Sequence, residues 1–149
     1  MQYIAKAVIA VATLLLFVQC RTTECSVVME DVDINGWSDE INLSYTNNDT
    51  TTNYNLSLML HINRRFASEQ VEVEVEIVTM TPDSLRYSER VSLPVNFVWD
   101  SPTMPMKDVA IPYRQDVHLR CKGEYKMTIT PLQSITGVAA AGINFQPQK

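Results

Sequence analysis

The chain of 149 residues carries 12 basic and 17 acidic side chains, a formal net charge of -5, and is 46% hydrophobic. That length suits one domain around one core, and the acidic balance argues against a nucleic-acid binder, which needs a basic face to displace counterions from phosphate. The hydrophobic content, with only four glycines and seven prolines, excludes a disordered or fibrous chain.

Residues 1–19 differ from the rest. Lys6 is their only charge, and Ala7–Val18 is a run of twelve mostly apolar residues. The run is too short to cross a hydrocarbon layer of roughly 30 Å as a helix. It has the length of the apolar region of a secretory signal peptide behind a weakly positive start. The stretch ends Leu16-Phe17-Val18-Gln19-Cys20, and there it resembles a bacterial lipoprotein, in which cleavage before a cysteine frees a sulfur that takes diacylglycerol. Gln19 stands where that class usually has a small residue, and Phe17 is bulkier than the usual aliphatic. The competing readings are a plain secreted protein cut near the same place and a retained signal anchor. The expected organisation is a lipoprotein signal peptide over 1–19, a lipidated tether over 20–27 and a β-sandwich over 28–149. Beyond residue 19, 130 residues carry 11 basic and 17 acidic side chains, a formal charge of -6. At about 0.8 kcal/mol per buried CH₂, three acyl chains hold such a domain essentially permanently, so it needs no basic membrane-binding face.

Cysteine parity suits that address. Cys20, Cys25 and Cys121 make an odd total, and acylation of Cys20 leaves an even pair. A Cys25–Cys121 disulfide would close a loop of about 96 residues, worth roughly 4–5 kcal/mol in the chain-entropy picture. The alternative is a buried Cys121 and a separate Cys25 in the tether. No four-ligand metal set is read from these cysteines, and no metal or cofactor is expected.

Period two then dominates. Ile41, Leu43 and Tyr45 alternate with polar neighbours, and Leu56, Leu58, Leu60 and Ile62 do the same. Val71–Ile77 sets Glu72, Glu74 and Glu76 on one face and four β-branched residues on the other, which a strand separates and a helix would smear. Further strands are expected at Arg86–Ser92, Val95–Trp99, Val109–Tyr113, Val117–Cys121, Tyr125–Thr130 and Ala141–Phe145. Turns fall in the Asn/Asp/Thr-rich stretch Tyr45–Asn53, at Thr81–Ser84, in Asp100–Lys107 with its two prolines, and at Lys122-Gly123-Glu124. Only Leu132–Ala141 offers a helical turn. Short strands without intervening helices pair antiparallel, and one apolar face per strand calls for two packed sheets. The expected fold is all-β, an antiparallel β-sandwich of about eight short strands with immunoglobulin-like or jelly-roll topology.

Several separated blocks resemble the gliding-motility lipoprotein GldH family of the Bacteroidota. They are the signal with Cys20, Trp37-Ser-Asp-Glu-Ile-Asn-Leu-Ser-Tyr45, Tyr54–Asn63 with His61 where the family has arginine, Gly123–Ile129, and Ile135–Phe145. The middle departs from the family: Trp99-Asp-Ser-Pro-Thr-Met-Pro replaces a glycine-rich stretch, and Pro131-Leu-Gln133 replaces a Met-Arg pair. The resemblance implies a non-enzymatic accessory of the gliding and type IX secretion apparatus, without catalytic residues to carry over. Relatives occur in species of the phylum that do not glide.

The residues themselves offer little chemistry. Asp116 and His118 share a strand face roughly 7 Å apart, which is half a catalytic site or an ordinary polar face; His61 reads as a partly exposed strand residue. The three glutamates lack the facing geometry that glycoside hydrolysis requires, and read as a solvated row or a weak Ca²⁺ contact. Trp99 has core parity. Trp37 either caps the sandwich or meets a partner or glycan, and Met104 and Met106, stiffened by Pro102 and Pro105, are the other candidate contacts. Asp49-Thr-Thr and Asp83-Ser-Leu resemble an O-glycosylation pattern of the phylum and fall in expected turns. The function expected is a non-enzymatic envelope lipoprotein that docks to other envelope proteins; the alternative is a glycan-binding surface lipoprotein. The expected location is the outer membrane facing the periplasm, with surface exposure left open.

Overall fold

Alternation decides which side of each strand is dry, and the packing follows from it. A computed structural model describes residues 26–80 and 84–148. Residues 1–25, with Cys20 and Cys25, and residues 81–83, with Asp83, lie outside the described residues.

Eight strands run in order: β1 (Ser26–Asp31), β2 (Ile41–Asn47), β3 (Asn53–Asn63), β4 (Gln70–Thr79), β5 (Arg86–Pro94), β6 (Met106–His118), β7 (Gly123–Pro131) and β8 (Val138–Pro147). They form two four-stranded antiparallel sheets, β1-β8-β3-β6 and β2-β7-β4-β5. This is the jelly-roll order, so of the two topologies expected the immunoglobulin-like one is set aside. The inner faces interdigitate through Leu56, Leu58, Leu60 and Ile62 of β3, Val71, Val73 and Val75 of β4, Met127 and Ile129 of β7, and Ile143 and Phe145 of β8. Burying one such side chain contributes about 1.5–3 kcal/mol. Phe145 stacks on Tyr45 at 3.9 Å and meets Tyr54 edge-on at 6.3 Å, joining the sheets at one end.

Every connection except β4–β5 crosses from one sheet to the other. Residues 32–40, 64–69, 95–105 and 132–137 therefore gather at one end of the sandwich, here the crown. The opposite end, the root, collects residues 48–52, Met80, Ser84, Leu85, residues 119–122 and the start of β1.

Several expected boundaries are corrected. β1 occupies Ser26 and Val27, so the sandwich begins inside the stretch expected to be tether. Val95–Trp99 is not a strand. Its alternating residues do pack against the core, but Pro94 ends β5 and only Val95 N, donating to Glu69 O, makes a backbone bond. Val109–Tyr113 and Val117–Cys121 belong largely to one strand, β6, which starts at Met106 and ends before Leu119. Two one-residue register shifts opposite Tyr54–Ser57 let it continue past Arg114-Gln115-Asp116. Asp116 takes a positive φ of 57° there, which a short carboxylate side chain tolerates. Leu132–Gly137 holds no helical turn. Gly137, at φ 87°, presses against the Phe66 backbone and accepts from Asn63 N, leaving no room for a side chain.

The two open sides of the sandwich are closed by side chains. Between β1 and β2, Asn42 N donates to Glu30 Oε2 at 3.1 Å. Between β5 and β6 the clip is stronger: Glu89 accepts from Tyr113 Oη at 2.5 Å, from Arg114 Nε at 3.1 Å and from Arg114 Nη2. Arg114 Nη2 also donates to Tyr87 Oη at 2.9 Å.

Candidate functional site

The crown brings together Trp37, Trp99, Met104 and Met106 of the residues singled out from the sequence. Trp37 is 1% exposed, bridges backbone to backbone with Ile135, and donates its indole Nε1–H to Asp39 O at 2.9 Å. An amphipathic ring that large closes the end of a sandwich when its one polar atom finds a partner. Of its two expected roles the cap therefore holds, and the expectation of a partner or glycan contact at Trp37 is corrected, because no ring face is left open.

Arg64, which no sequence pattern singles out, organises the other half of the crown. Its guanidinium lies 4.0 Å over the Trp99 ring, while Nε donates to Met104 O at 2.9 Å and Nη2 to Ser101 O. A planar cation can stack and donate at its edge at once, so one side chain ties the β5–β6 connection to the end of β3. Lys107 Nζ pairs with Asp100 Oδ2 at 2.5 Å across the same loop. Met104 and Met106 are both half-buried, Met104 inside the held loop and Met106 opposite Asn63 at the start of β6. The outward positions of the loop are instead Pro102, Thr103 and Pro105.

Beside this loop, Phe66, Ala67, Ser68, Glu69 and Val95–Val98 line an open cleft of about 600 Å³. The Phe97 ring lies 6.1 Å from Phe66 and 5.7 Å from Trp99, giving the cleft an aromatic wall. Val98, at 81% exposed, stands out from it. In the cleft, apolar side chains meet water around a concave surface.

The remaining candidates take ordinary roles. Asn53 lies between Asp116 and His118, donating through Nδ2 to Asp116 Oδ1 at 2.6 Å and meeting His118 Nδ1 with Oδ1 at 2.9 Å. All of this is at the surface. His61 Nδ1 meets Asp108 Oδ1 at 2.6 Å on the outer face of the first sheet. The glutamate row is half-buried and matched rather than bare: Arg90 Nε pairs with Glu74 at 3.0 Å, Arg86 Nε with Glu76 at 2.7 Å, and Gln133 reaches Glu72 at 3.3 Å. Among the described residues, no group of three or more His, Cys, Asp or Glu side chains is placed to hold a metal ion. Cys121 is half-buried at the root, and its carbonyl accepts from Asn47 Nδ2 at 3.0 Å and Tyr125 Oη at 3.1 Å. Its expected partner Cys25 lies outside the described residues. Asp49 sits in the β2–β3 turn, and the hydroxyls of Thr51 and Thr52 and the Thr51 N–H hold its carboxylate well below the usual range.

The strongest perturbations lie at the β5–β6 clip. Burial pushes the Glu89 carboxyl up, but hydrogen bonds from Arg114, Tyr113 and Tyr87 outweigh it and hold it below its ordinary value. Burial and the bond to Glu89 push the Tyr113 phenol up in turn. Glu89 and Arg114 are 25 residues apart in sequence, and nothing in their local pattern pairs them.

No protein-family model matches the chain, and no curated protein and no solved structure matches it either.

Proposed function

We propose that this chain is a lipid-anchored, non-enzymatic accessory of a bacterial cell envelope that docks other envelope proteins through the cleft at its crown. The observation that carries the reading is Cys20, which directly follows a signal-like apolar run and precedes the first strand by only six positions. A short tether between an acylated cysteine and a rigid sandwich suits a protein whose task is to hold a surface at a fixed place. The resemblance to the gliding-motility lipoprotein GldH family supports partners in gliding or type IX secretion, or their counterparts in a species that does not glide. The protein then sits in the outer membrane facing the periplasm. Docking is preferred to glycan binding because neither tryptophan offers a free ring: Trp37 is core and Trp99 lies under Arg64.

The test is a crosslinked pull-down of tagged full-length protein from native membranes, with Cys20→Ala and Val98→Asp beside the wild type, after labelling with a palmitate analogue. Label on the wild type but not on Cys20→Ala, with envelope proteins recovered only by the wild type, is the expected result. Equal labelling of both chains refutes the anchor. Recovery by Val98→Asp equal to wild type refutes the cleft.

A further inference from the structure

The root carries a feature that docking at the crown leaves unexplained. Met80 and Leu85 are 52% and 62% exposed, and they lie side by side because Thr79 N donates to Leu85 O and Leu85 N donates to Thr79 Oγ1. Met80 N donates in turn to Glu124 O, which sets this apolar pair beside the β6–β7 turn. Arg120 and Lys122 of that turn are exposed and, among the described residues, form no ion pair. Among the acids nearby, the Asp49 carboxylate is taken up by Thr51 and Thr52, and Glu124 accepts from Ser44 Oγ at 2.5 Å. Two bare aliphatic tips with two unpaired cations behind them form the pattern by which a peripheral surface meets lipid, apolar groups entering the headgroup layer and cations resting on phosphate.

The length of the chain outside the described residues selects the same end. β1 starts level with Met80: Ser26 pairs with Phe145, Phe145 stacks on Tyr45, and Tyr45 and Thr79 both pair with Tyr125. Five residues separate Cys20 from Ser26, so an acylated Cys20 lies within about 20 Å of that point even when fully extended. The ten residues of β4 run about 33 Å from crown to root. Such a tether cannot bring the crown to the bilayer with the sandwich upright.

We propose that the root lies on the lipid surface, with Met80 and Leu85 in the headgroup layer and Arg120 and Lys122 against lipid phosphates, so that the crown is held facing away. This rests on the lipid-anchored reading. The other orientation within reach lays the sandwich on the outer face of the first sheet, where Met29, Gly142, Met59 and Ala110 follow one another across four strands. The outer face of the second sheet, with its paired glutamates and arginines, is a poor match for lipid.

The experiment uses the full-length acylated protein in vesicles of phosphatidylethanolamine and phosphatidylglycerol, with Cys25→Ser and Cys121→Ser as background. An environment-sensitive fluorophore is placed at Ser84→Cys, Ala110→Cys or Val98→Cys, and lipid carrying a spin label in the headgroup region is added. Emission at position 84 should be lost while positions 98 and 110 stay bright, and Met80→Asp with Leu85→Asp should restore emission at 84 without releasing the protein. Greater loss at 110 or 98 than at 84, or no change in the double variant, overturns the proposed face while leaving the anchor intact. Failure of the protein to float with the vesicles sinks the anchored reading and this proposal with it.

Discussion

Gly142→Ala tests how β1 is held. A Cβ at position 142 would lie 2.0 Å from Val28 O and 2.6 Å from Met29 Cα, and neither backbone atom can swing away as a side-chain tip would. The strand opposite must therefore move. β1 is an edge strand whose ladder pairs it with β8 alone, over six facing pairs from Ser26–Phe145 to Asp31–Ala140. At about 0.5–1.5 kcal/mol net for each ladder bond, against about 1–2 kcal/mol of backbone freedom regained per released residue, its attachment is close to balanced. Overpacking costs about 1–3 kcal/mol, and release of β1 caps that cost. The expected result is a fall in Tm of about 3–12 °C. Amide exchange should accelerate across Val27–Glu30 and stay slow in β3 and β7. Gly123→Ala is the control: its φ is positive, at 113°, but nothing lies within 4 Å of its Cβ, so it should strain its own turn and leave β1 protected. If Gly142→Ala keeps the amides of β1 as slow as wild type, the close approach is not what positions the strand.

Four further outcomes follow from the same packing. Arg114→Ala leaves Glu89, whose side chain is 16% exposed, without its cation, and should cost about 1–3 kcal/mol in urea unfolding, less when Glu89→Gln is added to the same chain. Acid unfolding should share that origin: the folded Glu89 carboxyl titrates below its ordinary 4.5, so its stabilisation is complete above that pH and lost as pH falls through the depressed value, and Glu89→Gln should flatten the acid limb. At the alkaline end burial, with Tyr54, pushes Tyr45 up to about 12, so its contribution is complete below about pH 10 and lost as pH rises through the folded value, followed by phenolate absorbance. Trp37→Ala should cost about 3–5 kcal/mol in the same denaturant assay, and Trp37→Phe clearly less; equal costs would mean that the indole is not the cap.

Strand character was legible wherever one face is buried and the other wet, as along Leu56–Ile62 and Val71–Ile77, because period two is then enforced by solvent. It was not legible in β1, where Ser26-Val-Val-Met-Glu-Asp31 shows no clean alternation, nor in Val95–Trp99, where alternation reflects packing without pairing. Trp37 lies in a connection, so periodicity could not say whether its ring faces core or solvent. The clip of Glu89 with Arg114 and the stack of Arg64 on Trp99 join segments that meet only through the jelly-roll order, and their residues look like ordinary surface charges until that order is known. The exposed pair Met80 and Leu85 carries a faint signal, two apolar residues either side of a short polar stretch with a proline, that becomes meaningful only once Met80 and Leu85 are placed at the root.

The strand order also sets a timetable. β7 lies between β2 and β4, and β8 lies between β1 and β3, so the last two strands made occupy the middle of the two sheets. While the chain emerges in order, neither sheet has its interior ladder and β1 has no partner at all. Local contacts cannot nucleate a closed half, and folding waits on loop closures spanning most of the sequence, which makes it slow. For the exported lipoprotein proposed above that delay would be useful, because the polypeptide would remain threadable through a narrow translocation pore until its C-terminal strands had crossed.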